Sequence, residues 1–321
     1  MTVPIRFATN QDLDFKKTLN ARVDDYFRRT GLSRDHTPSM LAKTVLMLLL
    51  YLIPYVMILS NLFPFWANMA WYFAMGLGTA GIGMSVMHDG NHASYSSDQK
   101  VNRLMGLTMN LIGADAYNWK IKHNKLHHVF TNIYGKDEDI QSRVVLRFAY
   151  GAPLKKYHRY QYLYAWVFYS LMSLSMIFGD VSKRISNRRR GLTNIPKSTF
   201  RRSMAWLVVS KVLYFGLILV LPWLITDLLW WQALLGFMIM HLVTGTILSL
   251  IFQMAHVVEG VEQARPDRNG RIGHSLIVHQ LKATADFSRG NKWLSWYVGG
   301  LNYQVENGRS LRYFTVPMRN P

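Results

Sequence analysis

Residues 162–180 read YLYAWVFYSLMSLSMIFGD, an apolar stretch with one charge at its end. About 20 apolar residues cross a bilayer core of about 30 Å, so the stretch is long enough to span. If it spans, the chain crosses an odd number of times and its two ends lie on opposite faces. If it lies along the interface, the count is even and the ends share a face. Its flanks decide the matter: KKYHR precedes it and SKRISNRRR follows it. Basic flanks stay on the cytoplasmic side, so both ends of the stretch belong there. Its tyrosines and serines suit a helix lying in the interface.

Working outward, four other segments have spanning length and apolar composition: 40–62, 65–87, 204–225 and 229–254. The short connectors FPF and TDL make them two hairpins. Of the 37 Lys and Arg, only Lys43 and Lys211 fall inside these segments; Lys211 is expected to snorkel toward the basic end of its helix. A shorter apolar stretch, 103–117, falls below spanning length and belongs with the cytoplasmic part. The expected fold is an all-α integral membrane protein, four transmembrane helices in two hairpins under a cytoplasmic helical cap. Its divisions are a cytoplasmic segment (1–39), a first hairpin (40–87), the cap (88–203), a second hairpin (204–254) and a cytoplasmic C-terminal part (255–321).

The 321 residues are 50% hydrophobic and carry a formal charge of +19. In a soluble protein that charge would suggest nucleic acid; here it is the positive-inside signal of a multi-pass protein, and no nucleic acid partner is expected. The N-terminus lacks the apolar core of a cleaved signal peptide. Cysteine is absent, so any metal must be held by nitrogen and oxygen.

On this topology His88 and His92 follow the second span, His123, His127 and His128 lie in the cap, and His256 follows the fourth span. All six are expected on one face of the membrane. Residues four apart share a helix face, so His88 with His92, and His123 with His127, can each present two rings to one ion. His128 is directed elsewhere, toward a second ion or a bridge between helices. His36, His158 and His274 read as ordinary polar residues. His241, inside the fourth span, reads first as packing between helices, with a pathway or a hydrogen bond as the other readings. His279 is assigned neither way. A zinc peptidase motif is missing, because no glutamate follows any of the six, and the Glu-x-x-His pairs of soluble di-iron bundles are missing too. An all-histidine centre beside apolar helices suits dioxygen activation near an apolar substrate.

HDGNH at 88–92, HNKLHH at 123–128 followed by TNIYGKDEDI, FQMAHVVEG at 252–260, HQLKATADF at 279–287 and GGLNYQVE at 299–306 resemble the membrane-bound fatty acid desaturases, most closely the bacterial acyl-lipid and linoleoyl-CoA type. The resemblance runs from about the first span to Glu306. It implies two iron ions held by His88, His92, His123, His127, His128 and His256, and O2-dependent removal of two hydrogens from an acyl chain. It also places Asp89, Gln253, Asp137, Asp139 and Gln304 around the ligands, though solvated positions suit Asp137 and Asp139 equally.

The third histidine box of that family is Gln or His, two residues, then His-His. Here Gln304, Val305 and Glu306 are followed by Asn307 and Gly308. Both expected ligands are absent, Asn307 offers only an amide oxygen, and the tail from Asn307 onward reads as a frameshifted or truncated end. The expectation is that the chain as written holds at most one iron tightly and has little or no desaturase activity.

The substrate expected from the resemblance is an acyl lipid, acyl-CoA or acyl-carrier thioester at the bilayer, in a bacterial inner membrane with both termini and the histidines cytoplasmic. The run KRISNRRRG, with Arg184, Arg188, Arg189 and Arg190, is read as a contact to anionic lipid rather than a site for CoA or a carrier protein. Residues 1–39 are too few for a fused haem domain, so a separate small electron-transfer protein is expected, steered by the cationic cap. The competing readings are a histidine-box hydroxylase, ketolase or alkane monooxygenase, and a non-catalytic membrane relic or scaffold.

Overall fold

The structure is a computed structural model that describes residues 4–8, 12–31, 38–141 and 145–305. His36, Glu306, Asn307 and Gly308 lie outside the described residues. In chain order the elements are β1 (Arg6–Phe7), α1 (Leu13–Thr30), α2 (Pro38–Leu59), α3 (Phe65–Gly81), α4 (Met87–Asn91), α5 (Gln99–Leu111), α6 (Ala116–Lys120), α7 (His128–Phe130), α8 (Gln161–Ser170), α9 (Met172–Arg189), α10 (Lys197–Phe215), α11 (Leu221–Ile225), α12 (Trp230–His256), β2 (Arg271–Ile272), α13 (Leu276–Lys282) and α14 (Lys292–Tyr297). Among the described residues, three π-helical turns interrupt the α-helices, at Ile82–Val86, Ile121–His127 and Gly216–Val220. The chain divides into two compact units. One comprises Pro38–Ile121 and Tyr164–Leu250, the other Met1–Thr37, Lys122–Leu163 and Ile251–Pro321.

Among the described residues, three helical runs are long and apolar enough to cross a membrane, Pro38–Leu59, Lys197–Ile225 and Trp230–His256, and the bent pair Lys156–Ser170 and Met172–Arg189 makes a fourth if it is one broken span. The fourth expected segment, 65–87, is helical as well, but its α-helical part is the 17 residues of α3, continued by the π turn and α4. Helix α2 shows why an apolar sequence still has an inside. Thr44, Met47, Tyr51, Pro54 and Ile58, spaced three and four apart, are buried, while Leu41, Val45, Leu49, Leu52 and Val56 on the other side stay exposed. Lipid gives apolar side chains no reason to prefer each other, so close packing relies on small residues. Gly78 is such a contact: a Cβ there would lie 2.6 Å from the Tyr51 backbone nitrogen.

The stretch 162–180 is not one straight helix. Lys156–Ser170 and Met172–Arg189 meet at 63°. Helix α12 holds that break. A Cβ on Gly245 would lie 2.1 Å from the Ser170 carbonyl oxygen, and Ser249 Oγ donates to the Tyr169 carbonyl at 2.9 Å. His241 hydrogen-bonds with Ser173 Oγ and Tyr214 Oη, each at 2.7 Å, where the sequence reading put packing between helices first.

Two basic residues behave differently from expectation. Lys211 does not snorkel: its Nζ turns inward to Asp180 Oδ2 at 2.6 Å and to the Gly113 carbonyl. Arg184 is not a lipid contact, being 2% exposed. Its Nη2 pairs with Asp115, its Nε donates to Asn118 Oδ1 at 3.0 Å, and its guanidinium lies 4.3 Å from the Tyr117 ring centre. Asn118 Nδ2 in turn donates to Asp180 Oδ1 at 3.0 Å, so both cations join one network. Burying a charge is costly unless it is paired, and Asp115 and Asp180 supply the partners that lipid would not.

In the second unit the two short strands pair in parallel, Arg6 with Arg271 and Phe7 with Ile272. Ile133, Ala264 and Ile272 form a small core, with Ile5, Phe7 and Phe130 packed against it. A second core joins Ile140, Ala149 and Ala152 with Phe148 and Val257. These cores fix the loop after HNKLHH, residues 131–140, against the chain that follows His256.

Candidate metal centre

In the first unit, HDGNH forms α4 directly after a π turn. The four-residue spacing puts His88 and His92 on one side, and Gly90 sets how closely the helix packs. A Cβ on Gly90 would lie 2.4 Å from the Gly106 backbone nitrogen, so this face is pressed onto α5. His88 and His92 present rings 4.4 Å apart, both against Trp119 at 5.7 and 5.4 Å. His88 Nδ1 lies 3.3 Å from Asp89 Oδ1. Two imidazoles at i and i+4 are thus held side by side, as the spacing predicts.

In the second unit the local helix type matters more. Residues Ile121–His127 are π-helical. Hydrogen bonding from i to i+5 widens the turn, so a residue five positions on returns to the same side. His123 and His128 therefore face each other, with Nε2 atoms 3.0 Å apart and ring centres at 4.5 Å. His128 is not directed elsewhere. Imidazole nitrogens bind divalent metals at about 2.0–2.1 Å, so two of them on adjacent corners of one ion stand about 3 Å apart.

His127 lies beside them, 5.2 Å from the His123 ring, and meets the His256 ring at 4.6 Å. Its side chain is fully buried. Its Nδ1–H donates to Asp137 Oδ2 at 3.0 Å. Its Nε2 is buried and has no hydrogen-bond partner among the described residues. His256 Nδ1 faces the Ala283 carbonyl at 3.4 Å. One ring nitrogen anchored on an oxygen while the other is offered is the arrangement of a metal-binding imidazole.

Carboxylates complete the setting. Asp137 is fully buried, and Asp139 Oδ2 lies 3.6 Å from His127 Nδ1 while pairing with Lys122. Burial opposes charge on His127, but Asp137 and Asp139 together outweigh it and raise the ring's pKa above the ordinary value. Burial likewise opposes the Asp139 carboxylate, and Lys122 with the His127 and His256 rings outweighs it and lowers the pKa. Both effects describe a pocket that favours positive charge at the His127 ring. The ligand atoms of His123, His127 and Asp139 lie within 4.8 Å of one another. The donor set, all nitrogen and oxygen with a buried lone pair at its centre, fits a divalent metal. The Asp137 and Asp139 side chains are both shielded from solvent and lie against His127. Gln304 is buried and Gln253 is partly buried.

Three further residues in this unit have contacts that the sequence reading did not assign: Asn132 and Gln280, which it passed over, and His279, which it left open. Asn132, at φ +57°, donates through Nδ2 to the His256 carbonyl at 2.7 Å and to the Ala283 carbonyl at 3.2 Å, while its own N–H donates to Asp137 at 2.9 Å. One residue thus ties the end of α12 to the carboxylate that anchors His127. His279 Nε2 donates to the Thr131 carbonyl at 2.8 Å, and Gln280 Nε2 donates to the His128 carbonyl. The available signal was the turn TNIYG, since asparagine tolerates the left-handed region. Asn132→Ala leaves two buried carbonyls without that donor. Competition with a chelator should show iron bound about 10- to 100-fold more weakly, as for other groups that orient ligands.

The family model of fatty acid desaturases matches residues 64–306. The sn-1 linoleoyl-lipid 6-desaturase of Arthrospira platensis is 32% identical over 295 residues, covering 92% of this chain and 79% of the relative. The enzyme of the same name from Synechocystis is 30% identical over 301 residues, covering 94% and 83%. The acyl-lipid (8-3)-desaturase of Physcomitrium patens is 30% identical over 310 residues, 94% of this chain and 63% of the relative. These likenesses favour neither the hydroxylase group nor a scaffold. The chain belongs to the fatty acid desaturase family, membrane oxidoreductases of lipid metabolism that insert double bonds into acyl chains.

Proposed function

We propose that the chain is an acyl-lipid desaturase of a bacterial inner membrane, that His88, His92, His123, His127, His128 and His256 are its iron ligands, and that the sequence as written retains one tight iron site. The topology proposed with it has four crossings in two hairpins, 40–87 and 204–254, with the termini, the cap of 88–203 and the histidines cytoplasmic. The observation that carries the reading is the buried, partnerless Nε2 of His127, with three more imidazoles in the same unit and Asp137 behind it. Four imidazoles suffice for one ion. His88 and His92 supply two, and Asn307 and Gly308 stand where the family's third box has its histidine pair.

Iron held there supplies O2-dependent removal of two hydrogens from neighbouring carbons of the acyl chain. The protein's own task is positional. Asp137 keeps the His127 proton on Nδ1 and so keeps Nε2 directed at the metal. Asn132 and Gln280 fix the backbone on which His256 and His128 sit. Apolar helices exclude water and receive the acyl tail. Electrons come from a separate small redox protein.

Metal analysis of the purified full chain is the test, and one iron per chain is the expected result. Two irons per chain overturn the single-site reading. Fatty acid analysis of a host expressing the chain should show little or no new double bond, and full conversion would contradict the loss assigned to Asn307 and Gly308.

A further inference from the structure

The segment between the second histidine box and α8 builds a separate basic cavity of about 490 Å3, lined by Arg147, Leu154, Lys155, Lys156, His158, Arg159 and Gln161. Among the described residues its lining has four cations and no carboxylate. We propose that this cavity binds the phosphate of an anionic phospholipid headgroup.

Three observations carry the assignment. First, the cavity's wall is fixed in advance. Gln161 holds the Arg147 backbone from both sides, its Oε1 accepting the Arg147 N–H at 2.7 Å and its Nε2 donating to the Arg147 carbonyl at 3.1 Å. The guanidinium is held as well, Nε donating to the Ala152 carbonyl at 2.9 Å and Nη2 to the Tyr150 carbonyl at 2.8 Å. A guanidinium pinned in this way loses little freedom on meeting a phosphate oxygen.

Second, the charges are uncompensated. Among the described residues, Arg147, Lys155, Lys156 and Arg159 form no ion pair, in contrast to the paired Arg184 and Lys211. Arg159 is exposed, with its guanidinium carbon 4.6 Å from the Tyr160 ring centre. Several like charges converging on one concavity repel one another unless an anion joins them.

Third, the surroundings are greasy. Leu154, Tyr157, Tyr160, Tyr162 and Leu163 are exposed around the cations. Tyrosine with lysine and arginine beside bare leucine is the composition of a membrane–water boundary, where aromatic rings lie at headgroup depth and cationic heads reach phosphate. A free phosphate needs none of that apolar rim, and the volume suits a glycerophosphate headgroup better than a lone ion. The basic run at 183–190, the sequence's first choice for a lipid contact, has Arg184 committed to Asp115 and Arg188 donating to the Ile195 carbonyl over the Phe200 ring.

The test uses the full chain in neutral detergent at fixed ionic strength, with thermal unfolding followed as short-chain lipid is added. Dioctanoyl phosphatidylglycerol should raise the midpoint saturably and dioctanoyl phosphatidylcholine should not. The variant Lys155→Gln/Lys156→Gln/Arg159→Gln changes only exposed side chains. It should weaken the phosphatidylglycerol response on the order of a hundredfold, as expected for three charges near a lipid phosphate. The control Arg189→Gln/Arg190→Gln should keep the response. An unchanged response in the triple variant, an equal loss in the control, or an equal shift by phosphatidylcholine would overturn the site. An equal shift by inorganic phosphate would overturn its assignment to lipid.

Discussion

Replacing His127 with alanine should abolish tight iron binding, while replacing both His88 and His92 should leave the tight iron in place. The asymmetry follows from where each ring lies. His127 is fully buried, is braced by Asp137, and touches His123, His128 and His256 through ring contacts of 5.2, 5.4 and 4.6 Å. Binding free energies of about 10–16 kcal/mol spread over four protein ligands put each ligand at about 3 kcal/mol, which is a loss of a hundredfold or more. The brace alone is worth less. Asp137→Asn keeps an acceptor near Nδ1 but removes the charge, and a 10- to 100-fold loss is expected. Competition with a chelator of known affinity measures all three. Retention of iron by His127→Ala would remove the quartet around HNKLHH from consideration, and loss of iron in the His88/His92 double variant would show that the pair is needed for the ion assigned to the quartet.

How much of this was legible in the sequence depends on which force sets each feature. The helical class and three long apolar runs came directly from composition, because a bilayer tolerates backbone only as helix or closed barrel. The histidine spacings gave the candidate donors for the same reason, since periodicity survives in any helix. The orientation of His128 was not legible. It depends on Ile121–His127 being a π turn rather than an α turn, a difference of hydrogen-bond register that residue identity does not announce. Asn132 was hidden because its partners, the carbonyls of His256 and Ala283, are backbone groups far along the chain. The bend in 162–180 is likewise set by a contact, Gly245 against the Ser170 carbonyl, that no local window contains. Lys211 and Arg184 were read as exposed cations because charge patterns report which side of a membrane a segment prefers, and say nothing about which individual side chain finds a carboxylate.

That last misreading leads to the second large effect. Arg184→Met is expected to destabilise the folded protein by about 3–5 kcal/mol, the usual consequence of removing one partner from a buried ion pair. Methionine keeps an apolar stem of similar length but not the cation over the Tyr117 ring, so the loss is mainly electrostatic. It strands the Asp115 carboxylate, which is buried and also caps α6 by accepting the Asn118 N–H at 2.8 Å. Asn118 loses its contact with Arg184 Nε but keeps its bonds to Asp180, at 2.8 Å to the carbonyl and 3.0 Å to Oδ1. The damage should therefore remain at Asp115 and spare the Lys211–Asp180 pair. Two further variants separate charge from shape. Arg184→Lys keeps the charge but not the forked geometry that serves Asp115 and Asn118 together, so it should recover only part of the loss. Adding Asp115→Asn to Arg184→Met removes the stranded charge while keeping a polar cap, and should regain stability relative to Arg184→Met alone. Thermal unfolding of the full chain in one detergent ranks the four proteins. If Arg184→Met unfolds within 1 kcal/mol of the parent, where exposed cations fall, the arginine faces lipid or water after all and the buried network is refuted.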